Sequence, residues 1–372
     1  MKKLCLLFLL FTIGIIQAQQ PYGSYHLIHT QTAKSFEKGR LEFFSNMNFY
    51  TKNIQFLGTG PTPDVTGYNL WAVAGNVAFT YGFTKYFDAT VGLRVYQDVH
   101  RGEDEEANIP DDVFLMLKAA SFNLAKNRLL GGFNLKMRFP TGEYYNYQNA
   151  EYASGAVEYG LGGMLSFYAD PYIPEKSFSA HLNIGWYNHN DTGIEHRRNI
   201  KIAENTSELN FALGLMYPTS MFDFMLDVSG ISYLSDLESR ENAGIRSREN
   251  WMFVTPGMKY KPFNWLTFVM GVDVLISKKV EFGGDYDIPM YPPWKAQLGM
   301  NIKILPFVPS RKTAAELERD EFNKRIEFFQ KIVEERERSE DVREELERLK
   351  REREEAEKEL EELKQILEEE GK

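Results

Sequence analysis

The chain has 372 residues and carries 53 acidic against 43 basic side chains, for a formal net charge of −10. This acidic balance excludes nucleic acid as a partner, because binding to phosphates requires a basic surface. The mean hydropathy is −0.41, and no apolar run of about 18 residues follows the N-terminal region, which excludes a helical membrane protein.

The beginning of the chain predicts a secretory signal peptide over residues 1–18. Two lysines precede an apolar run, and Ile16 and Ala18 stand where a signal peptidase expects small or apolar residues. The mature chain is therefore expected to begin near Gln19. Cys5 is the only cysteine and lies inside the apolar run, whereas a lipoprotein needs its cysteine at the end of that run. The mature chain then lacks cysteine, which excludes disulfides and thiolate catalysis.

The next part of the chain alternates regularly between apolar and polar residues. In the stretch YGFTKYFDATVGLRVY, from Tyr81 to Tyr96, Val91 and Leu93 point to one side and Asp88 points to the other. The same period of two predicts about 12 strands between residues 40 and 307, mostly about 10 to 15 residues long. Soluble sandwich strands have about 5 or 6 residues, whereas a strand that crosses a bilayer needs about 9 to 11. The length therefore favours a membrane barrel.

The connections between these strands alternate between short and long. Short turns are predicted near residues 83–86, 125–128, 170–176, 218–220 and 261–263. Membrane barrels have short turns on the periplasmic side and long loops outside. An even number of strands then places both ends of the barrel in the periplasm, and we expect an all-β, antiparallel, up-and-down transmembrane barrel.

Several short motifs resemble one family of bacterial outer-membrane barrels. GFTKYFDATVGLRV resembles a recurrent hairpin of such barrels, and TAKSFEKGRLE, from Thr32 to Glu42, is similar to their first-strand entry. PDDVFLMLKAASF followed by NLKMRFPTGEYYN resembles the outer-membrane transporter family of phenol degradation (the MetA pathway). The resemblance covers most of Thr32 to Phe307 and implies the barrel fold and a transport role. Members often end at a terminal aromatic, whereas this chain continues beyond Phe307.

The alternation assigns ten charged side chains to the lumen of the barrel. They are Arg94, Lys118, Lys136, Arg138, Glu158, Glu208, Asp223, Asp227, Asp273 and Lys295. Two interpretations remain open, a water-filled pore lined by opposed charges and a narrow barrel filled by side chains that pair with each other. No inward apolar stripe is evident. We also expect no N-terminal plug domain or long hatch, because little chain lies between Gln19 and the first strand.

Neither a metal site nor an active site is expected. The acidic loop RGEDEEANIPDD, residues 101–112, could hold Ca²⁺ through oxygen ligands, but it lacks the spacing and central glycine of a calcium loop, so a solvated loop is favoured. No catalytic motif is found, and His181 and His189 are expected to be an ordinary lumen residue and an ordinary rim residue. We therefore expect that the protein binds no cofactor and no metal and is not an enzyme.

The composition changes near Pro309, which predicts a barrel over residues 19–309 and a periplasmic helical tail over residues 310–372. The tail contains no proline and is rich in charge. Leucines at alternating steps of three and four predict a coiled-coil seam, interrupted by Arg353 and Ala356; they are Leu346, Leu349, Leu360, Leu363 and Leu367. A solvated single helix held by its ion pairs is the alternative.

Two hypotheses of function follow. The first is a porin-like outer-membrane channel for passive passage of small solutes, in which the tail mediates oligomerisation or periplasmic contacts. The second is a structural envelope protein whose closed barrel anchors a coiled-coil spacer. A membrane-embedded lipid hydrolase is a minor third, which would need a serine and a histidine in contact at the lipid-facing rim. The expected partners are outer-membrane lipid and, through the tail, a second copy or a periplasmic protein.

Overall fold

The computed structural model describes residues 23–57, 65–101, 104–125, 128–143, 145, 151–171, 173–196, 200–202, 204–234, 250–277, 292–306, 326–328, 330–331, 333, 342–355 and 358. The predicted signal peptide, residues 1–18, and Phe307 lie outside this set. The chain divides into two compact units, Met1–Pro309 and Ser310–Lys372.

Twelve long strands within the described part of the first unit form one closed antiparallel sheet. They are β1 Leu41–Leu57, β2 Val65–Thr84, β3 Phe87–Arg101, β4 Val113–Ala125, β5 Leu129–Phe139, β6 Glu158–Tyr168, β7 Ser179–Asn188, β8 Ser207–Pro218, β9 Phe222–Tyr233, β10 Trp251–Phe263, β11 Leu266–Leu275 and β12 Trp294–Leu305. Each strand pairs with its neighbours in the chain, and pairing of β1 with β12, from Leu41 with Leu305 to Phe49 with Ala296, closes the sheet. The predicted barrel of about 12 strands is confirmed.

Short turns lie at one end of the barrel and long connections at the other. The turn between β2 and β3 is closed by Thr84, whose hydroxyl accepts the backbone N–H of Tyr86 (3.2 Å) and of Phe87 (3.1 Å). Thr219 does the same before β9, where it accepts the N–H of Phe222 (3.1 Å). A short strand, Asp104–Asn108, extends the outer end of β3. Threonine thus fixes two of the tight turns by hydrogen bonds from its own side chain.

The wall of the barrel is apolar outside and polar inside. Val91, Phe133 and Leu161 are 54%, 66% and 58% exposed, whereas Lys118 and Asp227 are fully buried. A soluble protein rarely exposes so many large apolar side chains, while the outward face of a membrane barrel consists of them. At the short-turn end, the exposed aromatic rings of Phe263 and Trp265 stack with centroids 5.4 Å apart. Such rings suit the interface between hydrocarbon and headgroups.

Residues 23–40, which we call the lumen segment, lie inside the barrel before β1 begins. Leu27, Ile28, Ala33 and Phe36 are all fully buried. Leu27 N–H donates to the Thr30 carbonyl (2.7 Å), and a backbone bridge between His26 and Gln31 makes this part a small hairpin. The chain before β1 is thus too short for a plug domain, as expected, but this short segment occupies the lumen, which the sequence did not predict. Eight strands enclose little more than their own side chains, and twelve leave space for a segment of this size.

The described part of the tail is helical at residues 342–355. Leu346 and Leu349 of the predicted seam lie on this helix and are more than half exposed. Leu360, Leu363 and Leu367 lie outside the described residues, so the coiled coil stays a prediction. No helix in the described part of the chain is long and apolar enough to cross a membrane.

Candidate functional site: the lumen of the barrel

The structure places all ten predicted charged residues with their side chains largely or fully buried on the polar side of the wall. They divide by what they contact. Lys118, Asp227 and Asp273 contact the lumen segment. Arg94, Arg138, Glu158 and Glu208 belong to an ionic network nearer the long loops. Asp223 pairs with Lys261, Lys295 lies beside Asp273, and no hydrogen bond or ion pair joins Lys136 to another described residue.

Asp227 on β9 binds the tip of the lumen segment. Its Oδ2 accepts the backbone N–H groups of Ile28 (2.8 Å) and His29 (3.1 Å), and its Oδ1 accepts the Thr30 hydroxyl (2.6 Å). A single carboxylate thus satisfies three donors of a buried turn. Because it accepts three hydrogen bonds from consecutive residues, Asp227 is an anchor of the tip.

Asp273 on β11 forms a second anchor around His29. Its Oδ1 lies 2.7 Å from His29 Nε2 and accepts the Thr255 hydroxyl (2.8 Å), while its Oδ2 accepts the Gln297 amide (2.7 Å). Lys295 Nζ lies 3.7 Å from the same carboxylate. Burial lowers the pKa of His29, but the charge and the hydrogen bond of Asp273 outweigh it and raise that pKa above the ordinary histidine value. Asp273 therefore favours the protonated form of His29.

The wall holds the rest of the lumen segment mainly through hydrogen bonds to its backbone. Gln31 N–H donates to Asn183 Oδ1 and Asn183 Nδ2 donates back to the Gln31 carbonyl, both at 2.7 Å. Ala33 N–H donates to Ser166 Oγ (2.7 Å). Asp88 accepts the Phe36 N–H (2.9 Å) and the Ser24 hydroxyl (2.8 Å). Lys118 in turn donates to Ser24 (2.9 Å), and Lys259 donates to the His26 carbonyl. Side chains from most of the wall thus bind one short stretch of main chain.

Inward-facing glycines make space for the apolar side chains of the lumen segment. Gly257 on β10 and Gly271 on β11 are directly paired, and a Cβ at either position would overlap the Ile28 side chain. A Cβ at Gly214 would meet Leu27 at 2.7 Å. The wall therefore has two depressions in addition to its polar anchors, one for the Ile28 side chain and one for the Leu27 side chain.

Above the lumen segment, toward the long loops, Arg138 and His189 hold an ionic network. Arg138 Nε donates to Asp112 (2.5 Å), and its Nη1 lies 3.8 Å from Glu158. His189 lies between two carboxylates, 3.3 Å from Glu158 and 3.2 Å from Glu208. Burial lowers the pKa of His189, but the two glutamates outweigh it and raise that pKa to about 9. All five side chains are buried, so the network fills part of the outer half of the lumen.

The acidic loop ends in this network, which corrects its interpretation as a solvated loop. Asp111 and Asp112 are almost fully buried. Asp111 lies 3.8 Å from Arg94, and Arg94 also donates to Glu151 (3.0 Å). Because each carboxylate faces an arginine, the end of this loop is part of the lumen. Within the described residues no group of histidine, cysteine and acidic side chains could hold a metal ion.

His181 contacts two serines, but away from the lipid. Its Nδ1 lies 2.7 Å from Ser166 Oγ and its Nε2 lies 2.9 Å from Ser179 Oγ. All three side chains are buried inside the barrel, and Ser166 already accepts the Ala33 N–H. The contact supports the lumen segment and is not the contact at the lipid-facing rim that the hydrolase hypothesis needs. His181 is a lumen residue, as expected, whereas His189 is a buried ionic residue and not an ordinary rim residue.

The uncharged residues that bind the lumen segment, Asn183 and Ser166, were not predicted from the sequence, because the prediction of lumen residues rested on charge. His29 was not predicted because it precedes the first strand. One signal was present in the sequence. Gly257 and Gly271 occupy inward positions where other strands carry side chains, and a strand glycine often marks a place where another part of the chain approaches closely.

Substitution of Asp227 by alanine is expected to release the lumen segment more often. Two buried backbone N–H groups would lose their acceptor, at about 1–3 kcal/mol each. Trypsin is too large to enter the barrel, so cleavage after the half-buried Lys34 reports exit of the segment. We expect the cleavage rate to rise about tenfold or more, since 1.4 kcal/mol corresponds to about tenfold. Ser229→Ala, on the same strand and equally buried but with no hydrogen-bond partner for its hydroxyl among the described residues, is the matched control and is expected to leave the rate unchanged.

The charge of His29 predicts a pH dependence of the same cleavage. A histidine whose pKa is raised on folding stabilises the folded state fully below its ordinary pKa of about 6.5, and this contribution is lost as the pH rises through the raised value. Alkaline pH should therefore increase the ratio of cleavage in the native chain to cleavage in His29→Gln. A ratio that does not change with pH would show that the ion pair with Asp273 does not hold the segment.

No protein-family model matches this chain, and no curated protein matches it. Several solved structures resemble it in fold. The NanC porin is 12% identical over 70% of this chain and 100% of its own, with a TM-score of 0.44. An outer membrane channel from Pseudomonas putida F1 is 10% identical over 73% and 98%, with a TM-score of 0.46. A Pseudomonas aeruginosa FadL homologue is 9% identical over 78% and 99%, with a TM-score of 0.40.

The first of these structures is described as a porin and the second as an outer membrane channel. At this level of identity and TM-score they add nothing about function, which must come from the residues of this chain. What the chain itself has is a closed antiparallel barrel, apolar outside and polar inside, that contains its own N-terminal segment.

Proposed function

We propose that this protein is an outer-membrane channel for small solutes whose lumen is closed by its own N-terminal segment. The observation that carries the proposal is the lumen segment, bound by Asp227, Asp273 and the depression at Gly257 and Gly271. Passage through the lumen requires this segment to move. The porin-like channel of the sequence analysis thereby becomes a gated one.

The outer surface supports a location in the outer membrane. Strand after strand presents large apolar residues outward, with aromatic rings near the short turns. Each backbone N–H and C=O of a closed barrel pairs within the sheet, which hydrocarbon requires. The predicted signal peptide would deliver the chain to the periplasm, from which such barrels insert.

The way the segment is bound favours reversible opening. Many of its contacts with the wall are hydrogen bonds to polar side chains, and water can replace these when the segment leaves. A typical protein hydrogen bond contributes only about 0.5–1.5 kcal/mol net for this reason. A segment held only by apolar packing would expose apolar surface to water on leaving, and no new hydrogen bonds to water would compensate for this.

The two sides of the lumen differ, which suggests a class of solute. Toward the long loops, β9 to β11 carry an inward apolar cluster of Ile231, Tyr233, Trp251 and Phe253, with Leu275 packed against it. This corrects the earlier statement that no inward apolar stripe exists. The other side of the barrel carries Arg94 and Arg138. We expect small solutes with an apolar or aromatic body and one polar end.

Solute flux into proteoliposomes tests the channel. We expect slow flux through the native chain, faster flux through Asp227→Ala, and native flux through the matched control Ser229→Ala. Small aromatic acids should pass faster than sugars of equal size. Equal and negligible flux in all three proteins, with correct insertion confirmed by heat-dependent gel mobility, would contradict the channel.

The structural alternative remains a second candidate because of one observation. The ionic network of Arg138, His189 and Glu158 fills part of the outer half of the lumen, so the barrel is occupied at two levels. A barrel that stays closed after removal of the lumen segment would support an anchoring role. In either case we propose that the tail extends into the periplasm and associates there.

A further inference from the structure

The tail helix carries an exposed apolar seam. Over residues 342–355, Val342 and Leu349 occupy d positions of a heptad, and Leu346 and Arg353 occupy a positions. The three apolar side chains are 52% to 56% exposed. Most of the remaining surface of this helix is charged, so the seam is a narrow stripe of the width that a partner helix covers.

Charges of opposite sign lie on the two flanks of this seam. The g positions are Glu345 and Glu352, and the e positions are Arg343 and Lys350. In a parallel pair of helices, each g residue faces the e residue of the next heptad on the partner. Glu345 of one copy then faces Lys350 of the other, and the symmetry of the pair makes this contact twice.

We propose that the tail forms a parallel, in-register coiled coil with a second copy of this chain. This proposal rests on the proposed association of the tail and is independent of whether the barrel conducts. An antiparallel pair is disfavoured, because it would place g opposite g and e opposite e. Glutamates would then face glutamates, and bases would face bases.

The sequence beyond the described helix continues the pattern. Leu360, Leu363 and Leu367 extend the seam, and Glu359 with Lys364 would form another attractive pair. Glu352 with Glu357 is the repulsive exception. In such a pair, Arg353 of one helix faces Arg353 of the other within the seam. Glu352 of the partner helix would lie beside it and balance its charge. A charged residue at an a position lowers stability but fixes the register of a coiled coil.

Disulfide formation in the full chain tests the pairing. The predicted mature chain has no cysteine, so single substitutions report without background. Leu349→Cys, at a d position, should form an intermolecular disulfide under mild oxidation in membranes. Arg351→Cys, on the opposite face of the same helix, is the matched control and should form severalfold less. Equal or absent crosslinking in the two variants, with the barrel inserted, would overturn the proposal.

Charge reversal distinguishes a second copy from another protein and fixes the orientation. In the Leu349→Cys background, Glu345→Lys or Lys350→Glu alone should reduce the crosslink severalfold, and the two together should restore it. Failure of the double reversal to restore the crosslink would contradict a parallel pair of identical chains. Solute flux through the barrel should not change in any of these variants, so the outcome is separate from that of the channel.

Discussion

Deletion of residues 23–38 is expected to convert a nearly silent barrel into a steadily conducting one. The lumen segment lies inside the barrel and contacts the wall through Asp88, Asn183, Asp227 and Asp273. Without it, these polar groups would face water and line an aqueous path. We expect single-channel conductance in planar bilayers to rise by about tenfold or more, because a filled lumen excludes hydrated ions.

The deletion also lowers the stability of the barrel, and this must be separated from conduction. Apolar side chains such as Met225 and Val269 lose their contacts with Leu27 and Ile28. Heat-dependent gel mobility establishes that the shortened chain is still a folded barrel. A synthetic peptide of residues 23–40, added from the side of the short turns, should block the conductance again, since the wall binds mainly its backbone. A folded deletion variant that remains silent would contradict the gate and favour the structural alternative.

Substitution of Arg138 by methionine is expected to have the largest effect on stability. Arg138 lies between Asp112 at 2.5 Å and Glu158 at 3.8 Å, and all three side chains are almost fully buried. Removal of one partner of a buried ion pair costs about 3–5 kcal/mol, because the remaining charges are left uncompensated. Urea unfolding of the refolded barrel in lipid vesicles measures this loss.

A matched control at the rim shows that burial causes the effect. Lys261 pairs with Asp223, but its side chain is 30% exposed. Exposed pairs contribute only about 0–1 kcal/mol, so Lys261→Met should change the free energy of unfolding by at most about 1 kcal/mol. An equal loss in the two variants would mean that the network around Arg138 is not a desolvated ionic centre.

The barrel itself could be predicted because the patterns that specify it lie within short stretches of the sequence. A period of two, strand lengths above those of a soluble sandwich and alternating turn lengths all appear in short windows of sequence. In β3, the inward and outward positions agree with the prediction as far as Arg94. There a bulge opposite Gly75 and Asn76 inserts one extra residue, so the buried residue that follows is Gln97 and not Tyr96. Bulges of this kind leave no signature in the alternation.

The lumen segment could not be predicted because the residues that bind it are far away in the sequence. Ile28 and Asp227 are 199 residues apart in the chain, and the segment has neither strand nor helix periodicity. Charge at an inward position showed that Asp227 and Asp273 face the lumen, but not what they bind. The glycine pair of β10 and β11 was the one local clue, and its meaning depends on Ile28, which only the folded barrel brings to it.

The most direct test of the gate is a reversible lock between the lumen segment and the wall. Ala33 and Ala120 pack in one buried cluster, where Ser121 N–H donates to the Ala33 carbonyl (3.0 Å). Ala33→Cys with Ala120→Cys, introduced into Asp227→Ala, gives a leaky channel with one possible disulfide. We predict that oxidation closes single channels, that reduction reopens the same channels, and that neither treatment affects the single-cysteine variants. Conductance that is unchanged by a disulfide shown to have formed would contradict the conclusion that this segment closes the lumen.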